Sequence, residues 1–284
     1  MVSINLQNQK TMKKYFLMAV AGMLALSSCS NDNNDELNVE NAPRKMTFTA
    51  GFGDAALTRA TLDTSTKKVS FSESDGISIF SANNTSQVNF TTYAGGASAT
   101  FEGTAVPGDP VYYAIYPNNN DMTFDSSTGI ISGVTIPACQ NNAATSDCGW
   151  DFWAPVAYAT TTGTNLQFHN LCALLKVTND KDFTVNICIS DISEGSVKLT
   201  GTFDLNVSTG ALTATEGNSS VMVDGVPAGK TIYIAVAPCT TSDFFVAEWS
   251  KDFETRGSKI KSTPSTFEAG KIYNLGNVSA WTLQ

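Results

Sequence analysis

The sequence predicts an all-β protein, and three observations support that fold class. Apolar and polar residues alternate in many short runs, as in MTFTAGF (46–52), where every second residue is apolar. Clusters of Gly, Asn, Ser, Asp and Pro separate these runs, which is typical of turns. The chain is also rich in Thr, which favours strands, and outside the N-terminal region no twelve-residue window shows the 3.6-residue period of a helix.

The strand candidates are short and follow one another at the spacing of a β-sandwich. They include VSF (69–71), ISIF (77–80), VYYAIYP (111–117), APVAYAT (154–160), LCALLKVT (171–178), FTVNICIS (183–190), VKLTGTFDL (197–205), TIYIAVAP (231–238) and FFVAEW (244–249). Residues 106–117 also resemble residues 226–238, which is either a domain-sized repeat or a coincidence. The repeat predicts an N-terminal β-sandwich over 45–163 and a C-terminal one over 164–284.

The N-terminal region has the features of a bacterial lipoprotein signal. Two lysines precede an apolar stretch of twelve residues (15–26), which is shorter than the ~20 residues that span a bilayer. The stretch ends in LSSC (26–29), which resembles a lipobox. We therefore expect a signal peptide over 1–28, translated from Met12, and a lipid on Cys29. A free cysteine beside an ordinary cleavage site is the alternative.

Residues 29–44 are expected to form a lipidated, flexible tether. The segment 30–42 is polar and acidic and cannot bury enough apolar area to fold. An acidic stretch directly after a lipidated Cys resembles the surface-export signal of lipoproteins in some Gram-negative anaerobes; a plain solvated linker is the alternative. The expected location is the outer membrane, lipid-anchored and exposed at the cell surface.

Charge and composition argue against several function classes. The chain has 17 Lys and Arg against 26 Asp and Glu, a formal net charge of −9. Because a nucleic-acid surface needs clustered cations, we expect no nucleic-acid partner. His169 is the single histidine, and neither a GxGxxG unit nor a phosphate-binding GxxxxGK[ST] loop occurs. We therefore expect no enzyme, no cofactor and no metal site.

Two local features are candidate sites. Cys139 and Cys148 bracket the exposed-looking loop QNNAATSD, and in an oxidising compartment they are a candidate disulfide. Trp150 and Trp153 are candidate glycan contacts, because exposed indole rings stack on sugars. The alternative, which we favour from sequence, is that these rings belong to a core between sheets.

The order of the motifs resembles the fimbrillin (Mfa-like) surface lipoproteins, which build type V pili in Gram-negative anaerobes. The resemblance spans the chain from the lipobox onward. It rests on Cys29 and on KMTFTAGF (45–52), LTRATL (57–62), VSFSESDGISIF (69–80), VYYAIYP (111–117), FHNLCALLKVT (168–178) and FEAGKIYNLG (267–276). It implies two tandem transthyretin-like β-sandwich domains. It also implies donor-strand exchange, in which a trypsin-like protease cuts after an Arg beyond the first strand and another subunit's strand fills the groove.

On this chain the resemblance implies a cut between Arg59 and Ala60. Arg59 follows the strand at 46–52, whereas Arg44 precedes it; a solvated surface arginine is the alternative. The implied function is a structural or adhesive pilus subunit, with a tip or accessory role included. Its expected partners are other pilus subunits, the processing protease, the outer membrane through the lipid, and a host or bacterial surface receptor. A glycan-binding surface lipoprotein is the alternative function.

Overall fold

The structure is a computed structural model of the chain. It describes residues 42–53, 70–118, 121–193, 197–250, 256–261 and 264–281. These residues belong to one compact unit that runs from Glu40 to Gln284. They are strands joined by turns, apart from a helical turn α1 (Asn142–Thr145) and a 3-10 turn (Val278–Ala280). The predicted all-β class is confirmed.

The strands follow the chain in two groups. The first group is β1 (Arg44–Phe52), β2 (Gly76–Ser81), β3 (Asn84–Thr92), β4 (Ser98–Ala105), β5 (Tyr112–Tyr116), β6 (Thr123–Asp125), β7 (Ile130–Ile136), β8 (Ala157–Thr161) and β9 (Asn165–Asn170). The second is β10 (Ala173–Thr178), β11 (Val185–Asp191), β12 (Thr200–Asn206), β13 (Leu212–Asn218), β14 (Ser220–Val226), β15 (Thr231–Val236), β16 (Cys239–Thr241), β17 (Phe244–Ser250), β18 (Arg256–Lys261), β19 (Ser265–Phe267) and β20 (Ile272–Asn277).

Seven strands of the first group form a closed ring of pairings. Their order is β3-β2-β5-β8-β9-β1-β4, and β4 pairs back to β3. Apolar residues face the inside because side chains alternate along each strand: in β1, Phe48 and Ala50 are buried while Thr47 and Thr49 are exposed. Aromatic side chains fill the interior, and those fully buried include Phe48, Phe90, Phe101, Tyr116 and Phe168.

Two hairpins, β6–β7 and β12–β13, extend the same sheet beyond the ring. Strand β7 pairs with β12, so the sheet contains strands from both sides of residue 164. The two turns are built alike. Asp125 accepts hydrogen bonds from the backbone N and the hydroxyl of Ser127, and Asn206 accepts the same pair of bonds from Ser208.

Apart from β12 and β13, the second group of strands forms a sandwich of its own. The sheets β15-β10-β20 and β14-β11-β17-β18 enclose a core of Val, Ile and Leu side chains, and β16 pairs with β19. Another apolar cluster includes Ile115, Trp150, Leu174 and Tyr233 and so joins both halves of the chain. The division at residue 164 stays a prediction; strand β9, which begins just after it, pairs with β8 and β1 of the ring.

A buried asparagine holds the corresponding loop in each half. Asn84 Nδ2 donates to the carbonyl of Val106 at 2.7 Å, and its Oδ1 accepts from the backbone N of Val106 at 2.9 Å. Asn179 Nδ2 donates to the carbonyls of Val226 and Pro227, each at 3.0 Å. The two valines begin the two similar segments of the sequence. The repeat itself stays a prediction.

Asp191, a buried carboxylate at the end of β11, links three segments. It accepts hydrogen bonds from the hydroxyls of Thr241 and Ser193 and from the backbone N of Val197. Burial alone would raise the pKa of Asp191, but the hydrogen bonds outweigh it and lower the pKa below its usual value. The ionised form therefore stabilises the fold.

We expect Asp191→Asn to lower the free energy of unfolding by about 1–2 kcal/mol at neutral pH, because the hydrogen bonds lose a charged acceptor. A carboxylate whose pKa is depressed on folding stabilises above its unfolded pKa of about 3.9, and this effect is lost as pH falls through the folded pKa. The difference from wild type should therefore shrink below about pH 4. Urea unfolding across this range measures it, with exposed Asp182→Asn as the control. Equal stability of Asp191→Asn and wild type at neutral pH would contradict the prediction.

Candidate functional site

Strand β1 has a neighbouring strand on each edge, and this placement defines the candidate site. It pairs antiparallel with β4 from Arg44↔Ala105 to Gly51↔Ser98. On its other edge it pairs parallel with β9 over Thr49–Phe52. Removal of β1 would leave β4 and β9 as unpaired edges and would open the ring between them.

Aromatic side chains form the walls around β1. The Phe48 ring meets the rings of Phe90 and Tyr112 edge to face, with centroids 5.2 and 5.3 Å apart. The Phe52 ring stacks on Phe71 at 4.5 Å. Such ring pairs add roughly 0.5–1.5 kcal/mol each beyond the area that they bury. The space that β1 occupies is therefore a groove lined by aromatic rings.

Small residues determine the shape of this groove between the aromatic rings. Ala50 is 1% exposed and lies between its pairing partners Ala99 and Leu166 on the neighbouring strands. Gly103 faces Met46, and a Cβ atom on it would lie 2.6 Å from the Phe90 ring. The groove therefore accepts a large side chain at position 48, a small one at 50 and a large one at 52.

The Phe71 wall is fixed by backbone and carboxylate hydrogen bonds. Phe71 and Gly96 exchange backbone hydrogen bonds of 2.7 and 2.9 Å. Buried Asp75 accepts from the Tyr116 hydroxyl at 2.7 Å and from the backbone N of Ser72 at 2.9 Å. These bonds hold the segment 71–75 against the ring.

The predicted lipidation and processing residues lie outside the described part of the chain. They are Cys29, Arg59 and Ala60. In the sequence, the Arg59–Ala60 bond lies between the end of β1 and the wall residue Phe71. The roles of these residues stay predictions.

Trp150 and Trp153 have different environments, and the prediction of a glycan contact is wrong for Trp150. Trp150 is completely buried in the cluster shared by both halves, so its ring cannot reach a surface ligand. Trp153 is 51% exposed, beside Phe152 at 41%. Asp151 accepts from the backbone N of Trp153 at 3.0 Å and also from that of Asn142, so its carboxylate is engaged within the loop.

Cys139 and Cys148 are free thiols, and the predicted disulfide is not formed in this structure. The backbone of each is held by a different strand. Cys139 pairs with Met222 of β14, whereas Gly149, next to Cys148, accepts a hydrogen bond of 2.6 Å from Tyr233 of β15. The Cys148 Sγ lies 3.6 Å from the Ser146 hydroxyl.

The described residues show neither a cluster of metal ligands nor a membrane-spanning helix. Among the described residues, no group of three or more His, Cys, Asp and Glu side chains is placed to hold a metal ion. His169 lies on β9 with its side chain exposed. In the part of the chain that the structure covers, no helix combines the length and the apolar character needed to cross a membrane.

The fold is shared with a solved protein of Bacteroides uniformis described as a cell adhesion protein. The TM-score is 0.50 at 16% identity, over 84% of this chain and 94% of that chain. Two other similar structures are a cell adhesion protein of Bacteroides thetaiotaomicron (TM-score 0.42, 11% identity, 81% and 91% covered) and a fimbrial protein of Bacteroides ovatus (0.42, 12%, 85% and 51%). No protein-family model and no curated protein matches the sequence. The similarity to the cell adhesion protein of Bacteroides uniformis therefore holds at the level of fold.

We expect Phe48→Ala to lower the free energy of unfolding by about 3–5 kcal/mol, because it removes a fully buried ring and leaves a cavity. Urea unfolding of the full chain measures the change. Thr47→Ala, on the exposed face of the same strand, is the matched control and should shift stability by less than about 0.5 kcal/mol. Similar effects of the two variants would mean that β1 does not contribute to the core of the ring.

Proposed function

We propose that this chain is a surface-exposed subunit of a fimbrial or adhesive assembly, and that it accepts a strand of another subunit in place of β1. The observation that carries the proposal is the position of β1. It is the first described strand, it supplies buried residues to the ring, and it has a strand on each edge. The fold shared with a cell adhesion protein supports the class.

The proposed export route follows from the N-terminal sequence. The signal at 1–28 directs the chain to the lipoprotein pathway, and Cys29 carries the lipid that anchors it in the outer membrane. The acidic segment 30–42 then separates the folded body from the membrane surface. In this proposal the body consists of two tandem transthyretin-like sandwiches, as in the fimbrillins that the sequence resembles.

A cut between Arg59 and Ala60 would change how β1 is held. Before the cut, β1 is attached to the ring by the chain, so its effective local concentration is high. After the cut, β1 stays with the lipidated segment and is no longer joined to the ring by the chain, so its local concentration at the groove falls once it dissociates. A strand carried by a neighbouring subunit can then replace it and satisfy the edges of β4 and β9.

The exchange has a clear energetic basis. An empty groove would expose the aromatic walls and two rows of unpaired backbone groups. An incoming strand buries both, so main-chain hydrogen bonds contribute affinity and the side-chain positions contribute specificity. The partners in this proposal are other pilus subunits, a trypsin-like processing protease and a surface receptor of host or bacterial cells.

We expect limited trypsin digestion of the full chain to cut early after Arg59, to release β1 and to produce multimers. Mass spectrometry identifies the cut and size-exclusion chromatography the multimers. Arg59→Gln should block both results, whereas the matched control Arg44→Gln, at the exposed first residue of β1, should leave both unchanged. A stable monomer that resists cleavage at Arg59 would overturn the proposal.

The groove also predicts which strands can bind. A labelled peptide KMTFTAGF should bind the cut protein, as fluorescence anisotropy would show. A peptide carrying Ala50→Phe should bind at least about fivefold more weakly, because overpacking a filled site costs about 1–3 kcal/mol. A Thr49→Ser peptide, altered on the exposed face, is the control. Equal binding of all three peptides would show that the groove does not select side chains.

Glycan binding remains the second candidate function. Exposed Trp153 favours it, while the burial of Trp150 and the engagement of Asp151 remove two of the groups that would contact a sugar at this loop.

A further inference from the structure

Strand β17 places a carboxylate on the inward, apolar face of its sheet. Side chains alternate along the strand, and Glu248 faces inward together with Phe244 and Val246. Its pairing partners on the two neighbouring strands are Ile187 of β11 and Gly257 of β18. The Glu248 side chain has no exposed surface. A carboxylate that has lost its hydration in this way needs a protein partner in place of water.

The partner of this carboxylate is Lys181, on the loop between β10 and β11. Its Nζ forms an ion pair with Glu248 Oε1, and its side chain is only 16% exposed. The backbone N of Lys181 donates to Asn179 Oδ1 at 3.1 Å, and Nζ lies 5.4 Å from the centre of the Phe183 ring. The amine is therefore held beside the carboxyl group by its own loop and by an aromatic side chain.

The second oxygen of the carboxylate, Glu248 Oε2, is buried and has no hydrogen-bond partner among the residues that the structure describes. Gly257 leaves room for the carboxyl group, because a Cβ atom there would lie 2.7 Å from Glu248 Oε1 and 3.0 Å from the carbonyl oxygen of Trp281. Trp281 is itself buried and lies on this side of the pair. A buried ion pair with an unsatisfied oxygen is costly, so an uncharged linkage of the same two groups is the more stable arrangement.

We propose that Lys181 and Glu248 are joined by an amide bond that forms after the chain has folded. The Lys181 nitrogen attacks the carboxyl carbon of Glu248, a C–N bond forms, and the bond from that carbon to Oε2 breaks. Two of the three ammonium protons leave with Oε2 as water, and the third stays on the amide nitrogen. The step balances without an oxidant, a reductant or another reactant. Its product carries no charge, and the oxygen that lacked a partner is gone.

Proximity and burial both favour this condensation. Two groups held in contact by a folded chain react as if one were present at about 10⁵ M or more. The complete burial of Glu248 also keeps water from the carboxyl carbon, and water is the reactant that would hydrolyse the amide. The pair Lys271–Glu268 has the same chemical groups, but its side chains are 60% and 55% exposed. We expect that pair to stay an ordinary ion pair.

The amide bond would brace the C-terminal sandwich. Lys181 and Glu248 are 67 positions apart in the chain, and the strands that they adjoin, β11 and β17, are neighbours in one sheet. A covalent link across this distance restricts the unfolded chain and keeps β17 attached to the start of β11 when sheet hydrogen bonds break. The link is independent of β1 and of strand exchange.

Peptide mapping of the full chain tests the proposal. The folded protein is denatured in urea, digested with trypsin and analysed by tandem mass spectrometry without any added cross-linker. We expect residues 177–198 to be joined to residues 231–251 at the sum of the two peptide masses less one water, with Lys181 uncut and the link located at Lys181 and Glu248. Within the same digest, residues 262–271 should appear at full mass, because Lys271 is not linked.

A variant that keeps the positive charge is the matched control. Lys181→Arg retains a cation for Glu248 but has no primary amine, so residues 231–251 should appear unlinked and at full mass. Unlinked peptides 182–198 and 231–251 from the folded wild type would overturn the proposal. So would a cross-link to 231–251 in Lys181→Arg, or an equal cross-link between Lys271 and Glu268. Arg59→Gln should carry the same bond as wild type, which separates this result from the fate of strand exchange.

Discussion

The closure of the ring by β1 is the constraint on which the rest of the N-terminal structure depends. Without β1, no strand joins β9 to β4, and the ring is open between them. The inward-facing rings of Phe71, Phe90 and Tyr112 then lose the side chains that cover them. The pairing of Thr49 with Asn165 also joins parts of the chain that are far apart in sequence. Such long-range pairing forms slowly, because the loop entropy is lost before the contacts are gained.

The same strand is also unusually separable from its neighbours. β1 does not pair with β2, the next strand among the described residues, and its partners β4 and β9 come later. Its departure therefore breaks pairings only along its own two edges and leaves the rest of the sheet order in place. A strand that contributes strongly to the core but shares no hairpin with the next one is suited to exchange.

The sequence predicted many of the strands that have an apolar face but missed β4, β7 and β14, although each of these buries alternate residues. The alternating runs correspond to β1, β5, β10, β11, β15 and β17, because each of these strands has one apolar face. Strand β13 (LTATEGN) was missed, since nearly all of its residues are exposed and no period of two in hydrophobicity marks it. Strand β3 (NTSQVNFTT) was missed for a similar reason, as its first half is polar.

At the candidate sites, the sequence did not predict which strands pair or which side chains are exposed. The inward pattern of β1 was visible, but its partners β4 and β9 were not, because residue types do not encode which distant strands pair. Trp150 and Trp153 differ by three positions and have opposite exposure, which depends on how the loop between them turns. The pairing of Ser258 with Ala247 likewise depends on the register between β17 and β18. The register between two strands is determined when the sheet assembles, and the types of the residues in one strand do not reveal it.

The cluster around Trp150 and the pairing of β7 with β12 have a mechanical consequence. A pulling force applied to the two ends of the described body cannot simply lengthen a connecting segment between its halves, because they share a sheet and an apolar cluster. Extension has to begin by breaking sheet pairings or by exposing buried indole and aliphatic surface. The body should therefore behave as one stiff element under tension, which would suit a subunit of the proposed adhesive assembly.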